Sequence, residues 1–60
     1  MCKLKYLRKK RKMSQIELAE ALNIPKPYIS MWEDGKCIPN EDFSKKLADY
    51  FNVTIDEFFE

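Results

Sequence analysis

The apolar residues of this chain recur mainly at intervals of three or four, which is the repeat of one face of an α-helix. Between residues 40 and 51, for example, Phe43, Leu47 and Phe51 follow one another at intervals of four. Similar spacing predicts five helices, over residues 3–11, 15–22, 26–34, 40–51 and 55–60. The pattern therefore predicts an all-α protein.

Capping residues indicate where three of these helices begin. Ser14 followed by Glu17, and Thr54 followed by Glu57, are capping boxes, in which each side chain accepts a hydrogen bond from the other residue's backbone N–H. Asn40 is a favourable N-cap. These residues support the predicted starts of the second, fourth and fifth helices.

The stretch 14–35 predicts two short helices joined by a tight turn, and the rest of the chain is expected to brace it. Asn23 favours the end of the first of these helices, because Asn tolerates a positive φ better than most residues. Pro25 and Pro27 fit only the first turn of the second, where the backbone N–H groups have no helical partner. Two such helices form a helix-turn-helix unit.

Sixty residues are enough for one domain, which we expect to span residues 1–60. With 45% hydrophobic and 35% charged residues, the chain is typical of a small folded protein and not of a disordered segment. It has no apolar run of the length of a membrane span, and its first residues lack the apolar core of a signal peptide. We therefore expect a cytoplasmic protein without a membrane partner.

Cys2 and Cys37 are the two cysteines, and the chain has no histidine. A zinc site has too few ligands, so no metal or other cofactor is expected. Two free thiols are the expected state, and a disulfide is the alternative. The scattered Ser, Cys and carboxylate residues show no pairing of nucleophile and base, which argues against an enzyme.

The charge of the chain is unevenly distributed. Residues 1–36 hold nine basic and four acidic residues, a net charge of +5, whereas residues 37–60 hold two basic and six acidic residues, a net charge of −4. The basic part contains the helix-turn-helix. This asymmetry indicates one face for a polyanion and another kept away from it.

Four motifs, spread from Leu4 to Phe59, complete the pattern. They are L-x-x-L-R, M-S-Q-x-x-L-A-x-x-L-x-I, I-S-x-W-E-x-G and V-T-x-D-E-F-F. Together they resemble the Cro and phage-repressor helix-turn-helix family, also called the xenobiotic-response-element type, over nearly the whole chain. The resemblance implies a compact, lambda-repressor-like bundle of five helices that inserts the helix 26–34 into the major groove of double-stranded DNA.

The resemblance also implies which residues face the bases, namely Lys26, Pro27, Tyr28 and Met31. Lys26 can donate to guanine O6 and N7, whereas Pro27 and Met31 can only pack on thymine methyl groups or sugars. For Tyr28, groove contact and solvent exposure both stay open. Because many family members have a polar base reader where Pro27 stands, DNA shape is expected to carry more of the specificity.

Four further residues are assigned by the same resemblance. Gln15 and Lys36 match positions that contact phosphates, which set the register of a protein on DNA without reading its sequence. Arg8 and Glu33 match a partly buried salt bridge between the first and third helices. Trp32 is expected in the core, because double-stranded DNA offers no splayed base on which it could stack.

The expected function is a sequence-specific transcriptional regulator, and specifically a repressor that occupies a promoter and blocks polymerase. One helix-turn-helix covers one half-site, so a homodimer on a pseudo-palindromic operator is expected. Phe58 and Phe59 are adjacent and cannot both face one core, which makes them candidates for the dimer interface. The alternative is an antitoxin, whose acidic half binds a partner protein while its basic half binds its own promoter.

Overall fold

The computed structural model describes residues 2–60, which contain five helices and no strand. They are α1 (Leu4–Lys10), α2 (Gln15–Leu22), α3 (Lys26–Glu33), α4 (Glu41–Phe51) and α5 (Ile55–Phe58). The predicted all-α, five-helix fold is confirmed. The domain expected over residues 1–60 includes Met1, which lies outside the described residues. None of these five helices is long and apolar enough to cross a membrane.

Side-chain caps hold the starts of α2, α4 and α5. The Ser14 hydroxyl accepts a hydrogen bond from the Glu17 N–H at 3.0 Å, and the Glu17 carboxylate accepts one from the Ser14 N–H at 2.8 Å. Thr54 and Glu57 form a second capping box, with distances of 3.0 and 2.9 Å. Asn40 caps α4 through its side-chain oxygen. Each cap satisfies an N–H that has no partner inside its helix.

We expect Ser14→Ala to lower the free energy of unfolding by about 1 kcal/mol, because the alanine leaves the first turn of α2 without its cap. Ser14→Asp is the matched control, since a carboxylate at the same position still accepts the N–H bond. Urea denaturation followed by circular dichroism measures both. Equal stability of the alanine and aspartate variants would show that the cap contributes nothing here.

Three helices end before their predicted last residue, and α3 does so by one position, at Glu33 instead of residue 34. α1 ends at Lys10 and not at residue 11, because Lys12 takes a left-handed conformation with φ of 56° and turns the chain toward α2. α5 ends at Phe58 and not at residue 60. Phe59 has φ of −100° and ψ of 8°, and the Glu60 N–H bonds to the Glu57 carbonyl at 3.3 Å, which tightens the turn. The other bounds lie within one residue of the prediction, the usual uncertainty of a helix end.

Every helix contributes one completely buried side chain to a single core. These five side chains, each with 0% of its surface exposed, are Leu4, Leu18, Ile29, Leu47 and Phe58. Six other buried apolar residues surround them, namely Ala19, Leu22, Ile24, Trp32, Ala48 and Phe51. Because the core draws on all five helices, each helix is stabilised mainly by packing against its neighbours.

An aromatic cluster sets the position of α3 against α4. The Trp32 ring centroid lies 5.2 Å from that of Phe43, and the Tyr28 ring lies 5.9 Å from Trp32 and 5.8 Å from Phe43. These are favourable separations for tilted and edge-on ring pairs. The cluster therefore holds one side of α3 and leaves its other side outside the core.

Candidate nucleic-acid interface

α3 buries one edge and exposes the other. Ile29 and Trp32 lie in the core, with 0% and 6% of their surface exposed. Lys26, Pro27 and Met31, three of the residues predicted to face bases, are exposed. Pro27 lies in the first turn, where its missing N–H breaks no helical hydrogen bond. The exposed edge thus belongs to a helix whose opposite edge is fixed in the core.

Tyr28 lies at the border between these two edges. It is 41% exposed, and its ring packs against Trp32 and Phe43 in the aromatic cluster. The sequence left two alternatives for Tyr28, a groove contact or a solvated side chain, and the structure limits either of them to the exposed part of the residue. The ring is held by its own protein, and only part of it is open to a ligand.

A buried ion pair joins α1 to α3. Arg8 donates from Nε to Glu33 Oε2 at 2.7 Å and from Nη2 to Oε1 at 3.0 Å. Its third nitrogen, Nη1, donates to the Met13 carbonyl at 2.7 Å. The Arg8 and Glu33 side chains are only 10% and 3% exposed. Bidentate geometry and burial make this a strong, directional contact between the two helices.

Gln15 extends this pair into a network that also holds α2. Its Nε2 donates to Glu33 Oε1 at 3.1 Å, and its Oε1 accepts a hydrogen bond from the Ser30 hydroxyl at 3.0 Å. An amide carries two N–H donors, so one remains for a ligand. Ser30 was missed by the sequence analysis, although it precedes Glu33 by three positions and so shares its face of α3. The first residue of α2 is therefore oriented by α3.

Lys36 lies just beyond the other end of α3. Its backbone N–H bonds to the Met31 carbonyl at 3.0 Å, and Gly35 before it has φ of 77°. The Lys36 side chain is exposed. The exposed lysines Lys26 and Lys36 therefore lie at opposite ends of α3, Lys26 on its exposed edge and Lys36 beyond its last turn.

The basic run from Lys9 to Lys12 is exposed throughout. Within it, the Arg11 guanidinium lies 5.2 Å from the ring centroids of both Tyr50 and Phe51, a distance at which cation–π attraction is appreciable. Arg11, which directly follows α1, thus contributes to contact with α4.

Phe58 is not available as a dimer contact, contrary to its sequence assignment. It is 0% exposed and belongs to the core, because the four-residue α5 turns this ring inward. Phe59 is half-buried and packs edge-on against Phe58, with ring centroids 5.2 Å apart. Of the two candidates, only Phe59 presents surface to a second copy.

The environment of Glu33 lowers the pKa of its carboxyl. Burial alone would raise it, but hydrogen bonds from Arg8 and Gln15, together with the charge of Arg8, outweigh burial. The unfolded chain therefore binds more protons than the folded chain in acid. The stability that Glu33 supplies is complete above its unfolded pKa and is lost as pH falls through the lower folded value.

We accordingly expect the domain to lose stability on acidification below about pH 4.3, the ordinary pKa of Glu. Glu33→Gln should give a flatter dependence in that range, and the exposed control Glu20→Gln should keep the parent dependence. Some dependence of stability on pH should remain in Glu33→Gln, because hydrogen bonds from the Thr54 backbone and hydroxyl also lower the pKa of Glu57. Urea midpoints between neutral pH and pH 3 measure all three proteins. An unchanged acid dependence in Glu33→Gln would contradict the assignment.

Comparison with known proteins identifies the family of the chain. A family model described as helix-turn-helix matches residues 4–58. The HTH-type transcriptional activator BcrR of Enterococcus faecalis is 44% identical over 55 residues, which are 92% of this chain but only 27% of the relative. The uncharacterized HTH-type transcriptional regulator MJ0272 of Methanocaldococcus jannaschii is 35% identical over 57 residues, 95% of this chain and 86% of the relative. The chain belongs to the Cro/C1-type helix-turn-helix family of DNA-binding transcriptional regulators.

Proposed function

We propose that this protein binds double-stranded DNA sequence-specifically and that α3 enters the major groove. The observation that carries the proposal is the two-sided character of α3, with Ile29 and Trp32 in the core and Lys26, Pro27 and Met31 exposed on the outside. The major groove is about 12 Å wide and admits one helix. A helix fixed from behind can present its outer edge to base pairs without rearranging.

Lys26 is the one charged residue on this edge, and we assign it to guanine O6 and N7. Pro27 and Met31 provide apolar contact for thymine methyl groups. The exposed part of Tyr28 is placed beside them, although its ring is anchored in the aromatic cluster. With so few hydrogen-bonding readers, sequence-dependent DNA shape carries much of the discrimination.

Phosphate contacts on both sides of α3 would fix its register in the groove. Gln15, at the start of α2, is held by Glu33 and Ser30 and keeps one N–H for a phosphate oxygen. The backbone N–H groups of the first turn of α2 lie at the positive end of the helix dipole and favour an anion. Lys36 supplies the contact beyond the end of α3.

Two lysine variants distinguish base recognition from phosphate contact. Lys26→Ala should alter which sequences are preferred and cost about 1 to 3 kcal/mol of discrimination at one base pair. Lys36→Ala should weaken binding to all duplexes and reduce the slope of log affinity against log salt by about one. Lys45→Ala, an exposed lysine on α4, is the control and should leave both quantities unchanged.

Selection from a random duplex library, followed by titrations at several salt concentrations, tests the whole proposal. The library defines the preferred site, and the titrations compare that site with random duplexes. Equal affinity for both at every salt concentration would reject sequence-specific binding. A Lys26→Ala variant with the parent preference would remove Lys26 from the reading edge.

A homodimer on a pseudo-palindromic operator is the proposed binding unit, since one domain covers only one half-site. The half-sites would lie about 34 to 36 Å apart, one turn of DNA. Phe59, the half-buried residue at the end of the fold, is the proposed contact between copies. Sedimentation equilibrium with and without operator DNA measures the assembly, and a monomer under both conditions would rule out the dimer.

We infer a repressor that acts by occupying promoter DNA, although BcrR is named as an activator. This chain spans 27% of BcrR, so the direction of regulation in that protein need not apply here. Transcription in vitro from the selected site decides the direction. A rise in transcript on adding the protein would replace the repressor with an activator.

An antitoxin remains the second candidate, and the observation that favours it is the exposure of every acidic side chain from α4 to Glu60. The six acidic residues of residues 37–60 are all exposed, namely Glu41, Asp42, Asp49, Asp56, Glu57 and Glu60. Exposed acidic side chains suit a basic partner protein. Purification of the native complex tests this candidate, and recovery of a small basic protein in fixed ratio would support it.

A further inference from the structure

Cys2 and Cys37 come from distant parts of the sequence, yet both line one small cavity. Its volume is about 100 Å³, and its other lining residues are Trp32, Gly35, Ile38 and Pro39. Both cysteines are free thiols. We propose that this cavity is a site of oxidative modification, at which a hydroperoxide joins Cys2 and Cys37 in a reversible intramolecular disulfide.

The two thiols differ in exposure, as an attacking and a resolving thiol do. Cys37 is exposed in the loop between α3 and α4, where a small oxidant reaches it freely. Cys2 is half-buried and packs against the core. Redox-sensing cysteines are commonly an accessible thiol with a second thiol close by, which is the arrangement of this cavity.

The segment that carries Cys2 is held in place. The backbone N–H of Lys3 donates to the Phe58 carbonyl at 2.8 Å, and the Lys3 ammonium lies 3.3 Å from a Glu60 carboxylate oxygen. Cys2 is therefore kept beside the core, and it is Cys37 that has to approach.

The loop that carries Cys37 has room to make this approach. Its first part is tied to α3, since the Lys36 N–H bonds to the Met31 carbonyl at 3.0 Å, and Cys37 follows directly after this bond. Around Gly35 the loop is open, because a Cβ built there would meet no atom within 4 Å. The cavity has room for more than one water molecule. A disulfide needs sulfur atoms about 2 Å apart and Cα atoms about 4.4 to 6.8 Å apart, so the loop must close over this volume.

The reaction balances with a hydroperoxide as the sole oxidant. The Cys37 thiolate attacks one peroxide oxygen, so that an S–O bond forms, the O–O bond breaks and the leaving oxygen takes a proton as alcohol or water. The Cys2 thiolate then attacks the Cys37 sulfur. The S–S bond forms, the S–O bond breaks and hydroxide leaves as water after protonation. The two thiols lose two electrons, and the peroxide gains them.

Metal binding is the less favoured chemistry for this cavity. Its lining holds two thiols and no His, Asp or Glu. Within residues 2–60, no group of three or more His, Cys, Asp or Glu side chains is placed to hold a metal ion. Zinc is nearly always held by four protein ligands in structural sites and by three in catalytic sites.

Treatment of the reduced chain with hydrogen peroxide, at dilution that disfavours contact between molecules, tests the proposal. We expect a mass loss of two hydrogens, loss of both titratable thiols and a joined peptide containing Cys2 and Cys37, all reversed by dithiothreitol. The cross-link should also raise the melting temperature by about 10 to 30 °C, because closing a loop of about 35 residues lowers the conformational entropy of the unfolded chain. None of these measurements involves DNA, so the result does not depend on the proposed function.

Cys2→Ser and Cys37→Ser are the controls, and each should keep the parent melting temperature when reduced while failing to lose the two hydrogens. Oxygen addition to separate thiols in the parent, or disulfides only between molecules, would overturn the proposal. So would a cross-linked chain whose melting temperature is no higher than that of the reduced chain, because the folded structure would then not accommodate the bond without strain.

Discussion

Replacing Arg8 with alanine is expected to lower the free energy of unfolding by about 3 to 5 kcal/mol, because it leaves the Glu33 carboxylate buried without its counter-charge. Glu33 is 3% exposed at its side chain and receives both of its Arg8 hydrogen bonds inside the fold. The Met13 carbonyl loses its donor as well. A domain of this size has a total stability of about 3 to 9 kcal/mol, so much of the variant should be unfolded at 25 °C.

Thermal and urea denaturation of three variants measures this effect. Arg11→Ala is the matched control, since it removes an exposed arginine just after α1 that lies over the rings of Tyr50 and Phe51, and it should cost less than about 1.5 kcal/mol. The double variant Arg8→Met with Glu33→Leu should recover most of the loss, because no buried charge is left alone. A loss below about 1 kcal/mol in Arg8→Ala would show that solvent reaches the pair.

Phe58→Ala should destabilise the domain by about 3 to 5 kcal/mol, whereas Phe59→Ala should change its stability by about 1 kcal/mol or less. Phe58 is fully buried and is the one buried residue of α5, so its loss leaves a cavity where α5 meets the rest of the core. The α5 helix has only four residues and cannot persist without packing.

The same two variants separate the core from the proposed dimer contact. Phe59→Ala should retain the melting temperature of a dilute sample and weaken self-association on operator DNA, as measured by sedimentation and gel shift. Phe58→Ala should lose its fold before any assembly can be measured. If instead Phe59→Ala unfolded the chain and Phe58→Ala did not, the packing of α5 would be the reverse of that described.

Local sequence signals predicted the helix architecture well because each acts within a few residues. Ser14 with Glu17, and Thr54 with Glu57, satisfy each other's backbone donors within one helical turn. The apolar spacing places Leu18 and Leu47 in the core for the same reason, since a helix of known start has a known buried face. The all-α fold therefore follows from short-range physics.

Features that depend on how helices meet could not be predicted in this way. No local sequence pattern indicates that Gln15 is hydrogen-bonded to Ser30 and Glu33. The same holds for the packing of Tyr28 in the aromatic cluster. The inward direction of Phe58 depends on where the short α5 docks. The shared cavity of the two cysteines is likewise a product of tertiary structure, because their sequence spacing carries no information about it.

The hydrogen bond from the Lys3 N–H to the Phe58 carbonyl places the two ends of the fold side by side. Chain ends that adjoin can be joined by a short peptide without disturbing the elements between them, and exposed loops can then serve as new ends. The loop between α3 and α4 is such a place. A circular permutant opened there should fold with the same five helices in the order α4, α5, α1, α2, α3, and α3 would become the last element of the chain.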